Sequence, residues 1–144
     1  MIRHAGLIAR RVDGRWAGVL ITGASGSGKS DLTLRALDQG FRLVADDRVT
    51  LWTCEGRLYG RSPQTLRGLL EVRGHGVARI SPLDLAEVSL IAQLGAPERL
   101  PEPAFEEILG LRLPCITQAA FELSAPAKLG HALVAFDAAH KRRI

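Results

Sequence analysis

The chain has 144 residues, 47% hydrophobic and 24% charged, which fits one ordinary globular domain with a real core, and no apolar run approaches the roughly 20 residues of a membrane span. Two cysteines without C-x-x-C spacing, Cys54 and Cys115, exclude a disulfide framework or a zinc site, and with no signal-peptide segment after Met1 they suit a reducing cytoplasm. The formal charge of +4 is scattered and aromatics are 5%, so neither nucleic acid nor a membrane is an expected partner.

In chain order, Ala5 to Val12 and Trp16 to Thr22 flank Asp13-Gly14 and predict a β-hairpin whose second arm is buried. That arm runs straight into Gly23-Ala24-Ser25-Gly26-Ser27-Gly28-Lys29-Ser30, a complete G-x-x-x-x-G-K-S phosphate-binding loop. Its glycines let backbone N–H groups converge on phosphate oxygens, and the start of the next helix adds a favourable dipole. Lys29 is placed to reach the β- and γ-phosphates and Ser30 to offer a hydroxyl to Mg²⁺, so the loop predicts ATP or another nucleoside triphosphate as ligand. Leu32, Leu34, Ala36 and Leu37 fall at helical spacing, and Gly40 ends that helix.

Phe41 to Ala45 is a second apolar strand, ending in Asp46-Asp47. Val49 to Trp52 and Arg57 to Tyr59 flank Glu55-Gly56, another hairpin signal. Leu66, Leu69 and Leu70 are expected to pack inward, whereas 71–80 mixes charge and glycine and resists assignment as a plain strand. Val88 to Leu94 reads as a strand, 95–103 as a loop, Phe105 to Leu109 as a helical turn and Leu111 to Thr117 as extended chain. A second helix is predicted from Pro126 to about Lys141, with Leu129, Leu133 and Phe136 on one face. The fold class is α/β: one compact P-loop domain over residues 1–144, with a mixed β-sheet and flanking helices.

Phosphoryl transfer needs a phosphate cradle, a metal held by oxygen ligands and a group that orients or deprotonates the nucleophile. Asp46-Asp47 closes a strand at the edge where open α/β sheets bind ligands. Adjacent strand residues face opposite ways, so one carboxylate is expected near the metal and the other near the acceptor hydroxyl. By spacing alone His4 reads as a surface histidine and Glu71 as a solvated carboxylate.

Three stretches carry a resemblance: Gly23 to Leu32, then Leu43-Val44-Ala45-Asp46-Asp47-Arg48-Val49, then Gly68-Leu69-Leu70-Glu71-Val72-Arg73-Gly74-His75-Gly76-Val77. Together with His4-Ala5 and Pro126-Ala127-Lys128, they make nearly the whole chain resemble the kinase domain of HPr kinase/phosphorylase. The resemblance implies ATP- and Mg²⁺-dependent phosphorylation of a serine on the phosphocarrier protein HPr, a reverse phosphorolysis of phosphoserine-HPr, and a homo-oligomer like the family's hexamer. It implies that Gly23, Ala24, Ser25, Gly26, Ser27, Gly28, Lys29 and Ser30 hold ATP, that Lys29 contacts the transferring phosphate, and that Ser30 and Glu71 ligate Mg²⁺. Asp47 matches the general base, His4 the histidine assisting it, and Arg99 a catalytic arginine for which Arg112 is the alternative. Glu71, Val72, Arg73, Gly74, His75, Gly76, Val77, Ala78, Arg79 and Ile80 match the family's signature segment. Two departures stand out. The chain resembles a short form without the family's N-terminal domain, and Ser124-Ala125-Pro126-Ala127-Lys128 replaces a Pro-Gly-Arg-Asn loop tied to the reverse reaction. The competing readings are a P-loop kinase of a small molecule and a nucleotide-binding switch without transfer activity.

Overall fold

The computed structural model describes residues 1–142, with side chains through Phe136. A short strand β1 (Ile2–Arg3) precedes the hairpin β2 (Gly6–Val12) and β3 (Arg15–Thr22). Asp13 and Gly14, at φ 51° and 78°, supply the left-handed turn that a two-residue hairpin loop requires. Helix α1 (Lys29–Leu37) follows the glycine loop, then come β4 (Arg42–Ala45) and a hairpin of β5 (Val49–Cys54) and β6 (Arg57–Arg61). The segment that resisted assignment is a separate two-stranded ribbon, β7 (Leu69–Val72) with β8 (Gly76–Arg79). Leu70 is fully buried beneath it, whereas Leu66 and Leu69 are only half-buried.

Strand β9 (Ala86–Leu94) is followed by β10 (Ala104–Ile108), β11 (Leu111–Gln118) and helix α2 (Ala125–Arg142). The helical turn expected at 105–109 is therefore a strand, paired antiparallel to β11 from Ala104↔Cys115 to Ile108↔Leu111. Its turn is Leu109-Gly110, at φ 49° and 81°, and a leucine in that conformation gives no sequence cue for a hairpin. Arg3 forms an ion pair with Glu106 that ties this hairpin to the N-terminal strand.

The main sheet has nine strands in the order β1-β5-β6-β9-β3-β2-β4, with β11 joined to β9 and β10 outside it. Strands β3, β9 and β11 run parallel. Because β2 is antiparallel to both β3 and β4, β4 shares their direction. The carboxyl ends of four strands thus open on one edge, in spatial order β4, β3, β9, β11.

The central strands read as near-continuous apolar runs because both of their faces are covered. Leu7, Leu20, Val88 and Ile91 meet Leu51 and Leu58 of the curled β5–β6 ribbon. Ile8, Val19, Ile21, Leu90 and Ala92 meet Leu32 and Ala36 of α1 and Ala125, Leu129 and Leu133 of α2, with Phe136 packed beside them. Each fully buried leucine here is worth roughly 1.5–3 kcal/mol of transfer free energy. Among the described residues no helix is long and apolar enough to cross a membrane.

Candidate functional site

The loop between β3 and α1 lies at the open edge of the sheet, beside the end of β4. Together they wall a cleft of about 580 Å³ lined by His4, Lys29, Ser30, Asp46, Asp47 and Glu71, with Gly23, Ser25, Gly26 and Gly28 as its floor. Asp31, Arg73 and Phe121 complete the lining. Gly28 sits at φ 102° before the first turn of α1, and a Cβ there would stand 2.7 Å from the Phe121 ring. Only glycine meets both conditions. The N–H groups at the start of α1 face the cleft end of the helix, which suits an anion.

Lys29 Nζ donates to the carbonyls of Gly23 at 2.8 Å and Ala24 at 2.9 Å, so its charge is held at the mouth of the loop. Ser30 Oγ donates to Asp46 Oδ1 at 2.8 Å, and the Glu71 backbone N–H donates to Asp46 Oδ2 at 3.2 Å. One carboxylate thereby joins the first turn of α1 to β7. Asp46 is only 7% exposed. Burial pushes its carboxyl above the ordinary 3.8, helped by the nearby charges of Asp47 and Glu71 and opposed by its two hydrogen bonds.

Asp47 does something different. The Arg48 N–H donates to the Asp46 carbonyl across it at 2.8 Å, and Asp47 has φ 69°. This tight turn of the γ kind costs on the order of 1–3 kcal/mol, a strain that recurs at functional sites. It swings the side chain out, 70% exposed, with Arg48 Nε at 4.0 Å. The Asp47 carbonyl accepts the Ala5 N–H at 3.2 Å, which sets His4 beside it in the cleft wall. The two carboxylates do part company, as strand alternation predicts, but a turn and not the pleat separates them.

The raised Asp46 carboxyl has a consequence for stability. The native state keeps a proton that the unfolded chain has already released, so stability contributed by this group is lost as pH rises above about 4. Urea unfolding of the wild type and Asp46→Asn between about pH 4 and pH 7 is expected to show the wild type losing ground to the variant as pH rises. Parallel pH profiles would mean that the burial of Asp46 carries no electrostatic cost.

Of the residues singled out from the sequence, the cleft gathers the loop, His4, Asp47 and Glu71. From the signature segment only Glu71 and Arg73 line it, and Val77 lies exposed on the ribbon. Arg99 does not reach it, lying exposed in the loop after β9. Arg112 is also elsewhere, with its guanidinium 3.8 Å from the Phe105 ring centre. The arginine that does enter the cleft is Arg73. The anchoring role of Asp46 and the presence of Phe121 were not legible, because neither follows from spacing along the chain.

The donors fit a hard cation that keeps part of its coordination shell for water and phosphate oxygens. Ser30, Asp46 and Glu71 offer oxygen only, and among the described residues no group of three or more His, Cys, Asp or Glu forms a closed metal cage.

Comparison with known proteins agrees with this arrangement. The family model of the HPr Serine kinase C-terminal domain matches residues 7–84, more than half of the chain. The HPr kinase/phosphorylase of Clostridium tetani is 43% identical over 90 residues, which is 58% of this chain and 30% of that protein. That of Leptothrix cholodnii is 43% identical over 110 residues, covering 65% of this chain and 34% of its own length. The chain thus spans about a third of the length of these curated relatives. The solved structure of the Hpr(Ser) kinase/phosphatase from Coxiella burnetii superposes with a TM-score of 0.78 at 27% identity, over 100% of this chain and 99% of that one. With the phosphate loop, the paired aspartates and the Glu71 ribbon inside or beside the matched region, the chain belongs to the HPr serine kinase C-terminal domain family.

Proposed function

We propose that the chain transfers the γ-phosphoryl group of ATP to a serine hydroxyl of the phosphocarrier protein HPr. The observation that carries the reading is the convergence of Lys29, Ser30, Asp46, Asp47, Glu71 and His4, from separate segments, on the one sheet edge that holds the phosphate loop. Loop backbone N–H groups and Lys29 hold the phosphates, the lysine exchanging its two carbonyl partners for phosphate oxygens. Ser30 and Glu71 would hold Mg²⁺, and Asp46 fixes the Ser30 hydroxyl and the Glu71 backbone through its two hydrogen bonds. Bound Mg²⁺ neutralises charge on the phosphate oxygens.

Asp47, exposed at the cleft mouth, accepts the proton of the serine hydroxyl as that oxygen bonds to the γ-phosphorus. The bond to the bridging oxygen breaks and ADP leaves. His4, set beside Asp47 in the cleft wall by the Ala5 N–H bond to the Asp47 carbonyl, assists that carboxylate. Arg99 and Lys128 take no part in this scheme: Lys128 is paired with Glu122 at 2.7 Å in the first turn of α2, outside the cleft lining. Incubation with γ-labelled ATP, Mg²⁺ and purified HPr is expected to place label on an HPr serine, and chelation of the metal is expected to stop it. Unlabelled HPr under conditions where ATP binds would overturn the reading.

A further inference from the structure

Beyond the phosphate cleft, on the opposite side of the loop from Asp46 and Asp47, lies a second groove of about 410 Å³. Its walls follow the carboxyl ends of β9 and β11: Leu94, Gly95 and Ala96 on one side, Ala119, Ala120, Phe121 and Glu122 on the other, with Ser27 of the loop between. Phe121 lines both the groove and the phosphate cleft, its ring resting on Gly28 while 67% exposed. The Ser27 hydroxyl is buried without a hydrogen-bond partner among the described residues.

The spatial order of the sheet gives the groove its meaning. A triphosphate lying across the loop has its outermost phosphorus at the β4 side, where the carboxylates stand, so its nucleoside end emerges on the β9–β11 side. From this, and resting on the nucleotide reading above, we infer that Phe121 is the stacking platform for the nucleotide base and that the groove accepts the base without reading its edge.

Small side chains leave a flat floor beside the ring. Four of the backbone groups that could question a base edge are already engaged. Gly95 N–H donates to Gln118 O at 3.0 Å, and Ala119 O accepts Gln118 Nε2 at 3.1 Å. Arg35 donates to the carbonyls of both Ala120 and Glu122. Glu122 Oε1 accepts from both Lys128 and Gln118, the Lys128 contact holding the carboxyl below its ordinary range. The unpartnered side-chain hydroxyl at the groove, that of Ser27, both donates and accepts and so suits adenine and guanine alike.

Calorimetric titration of Mg²⁺-ATP, Mg²⁺-GTP and Mg²⁺-tripolyphosphate against the wild type, Phe121→Ala and Phe121→Trp tests this. The wild type is expected to bind ATP and GTP within about threefold of each other, and Phe121→Ala to weaken both by about tenfold with tripolyphosphate unchanged. Phe121→Trp is expected to retain wild-type nucleotide affinity. The inference is overturned if Phe121→Ala leaves ATP binding intact, if it weakens tripolyphosphate equally, or if the wild type separates ATP from GTP by more than about thirtyfold. Equal wild-type affinity for ATP and tripolyphosphate overturns it while sparing the phosphate-loop reading. Binding of neither overturns both.

Discussion

Replacing Asp47 with Asn is expected to lower phosphoryl transfer to HPr by about 10²–10⁴-fold, the usual contribution of a positioned acid–base group. ATP affinity should stay within about twofold of wild type, because the lost interaction belongs to the transition state and not to nucleotide binding. The structure explains why this substitution is clean. Asn is among the few residues that tolerate a positive φ, so the tight turn at 69° survives. The contact that anchors the segment is the backbone carbonyl of Asp47 to the Ala5 N–H, which the change leaves alone. Fold-holding duties rest on Asp46 instead, through Ser30 and Glu71. Single-turnover transfer and equilibrium ATP binding, measured side by side, decide the matter. A variant rate within about tenfold of wild type would remove Asp47 from the role of base.

The second large effect is expected at Lys29. Lys29→Ala should abolish detectable transfer and also weaken ATP binding by about ten- to a hundredfold, the equivalent of one or two charge-assisted hydrogen bonds at about 1.5–3 kcal/mol together. In the free protein this lysine bonds two carbonyls of its own loop. Its hydrogen-bonding capacity is therefore already satisfied, and part of what the phosphates offer replaces those contacts. Lys29→Arg keeps the charge but not the compact ammonium, and is expected to recover binding better than transfer. Titration with Mg²⁺-ATP reads the first quantity and the HPr assay the second. If Lys29→Ala bound ATP like the wild type, the phosphates would not be seated on Gly23–Ser30. The contrast between the two positions is itself informative: Asp47 moves the rate alone, Lys29 moves rate and affinity together.

The elements read correctly from sequence are those set by local rules. Asp13-Gly14, and Gly56 after Glu55, adopt positive φ at little cost, so both hairpins announce themselves. Leu32 and Ala36 are four apart and both buried against the sheet, which is why α1 was visible as a periodicity. The phosphate loop is legible for the same reason, since its glycines answer a backbone requirement within eight residues. Phe105 to Leu109 failed because its turn is made by Leu109-Gly110, a pair with no hairpin signature, and because the ion pair that ties the strand down comes from Arg3, far away in the chain.

What the sequence determined by itself was therefore the chemistry available: a triphosphate loop, two adjacent carboxylates, and the segment bearing Glu71. Only the tertiary structure decided how these are distributed. It buried Asp46 and turned Asp47 outward, brought Glu71 to the cleft while leaving Arg99 outside, and laid Phe121 over Gly28. The physical reason is that local conformational preference acts over a few residues, whereas burial, charge and contact at the site are set by strands β3, β4, β9 and β11 meeting at one edge. That meeting is a property of sheet order, which no short stretch of sequence contains.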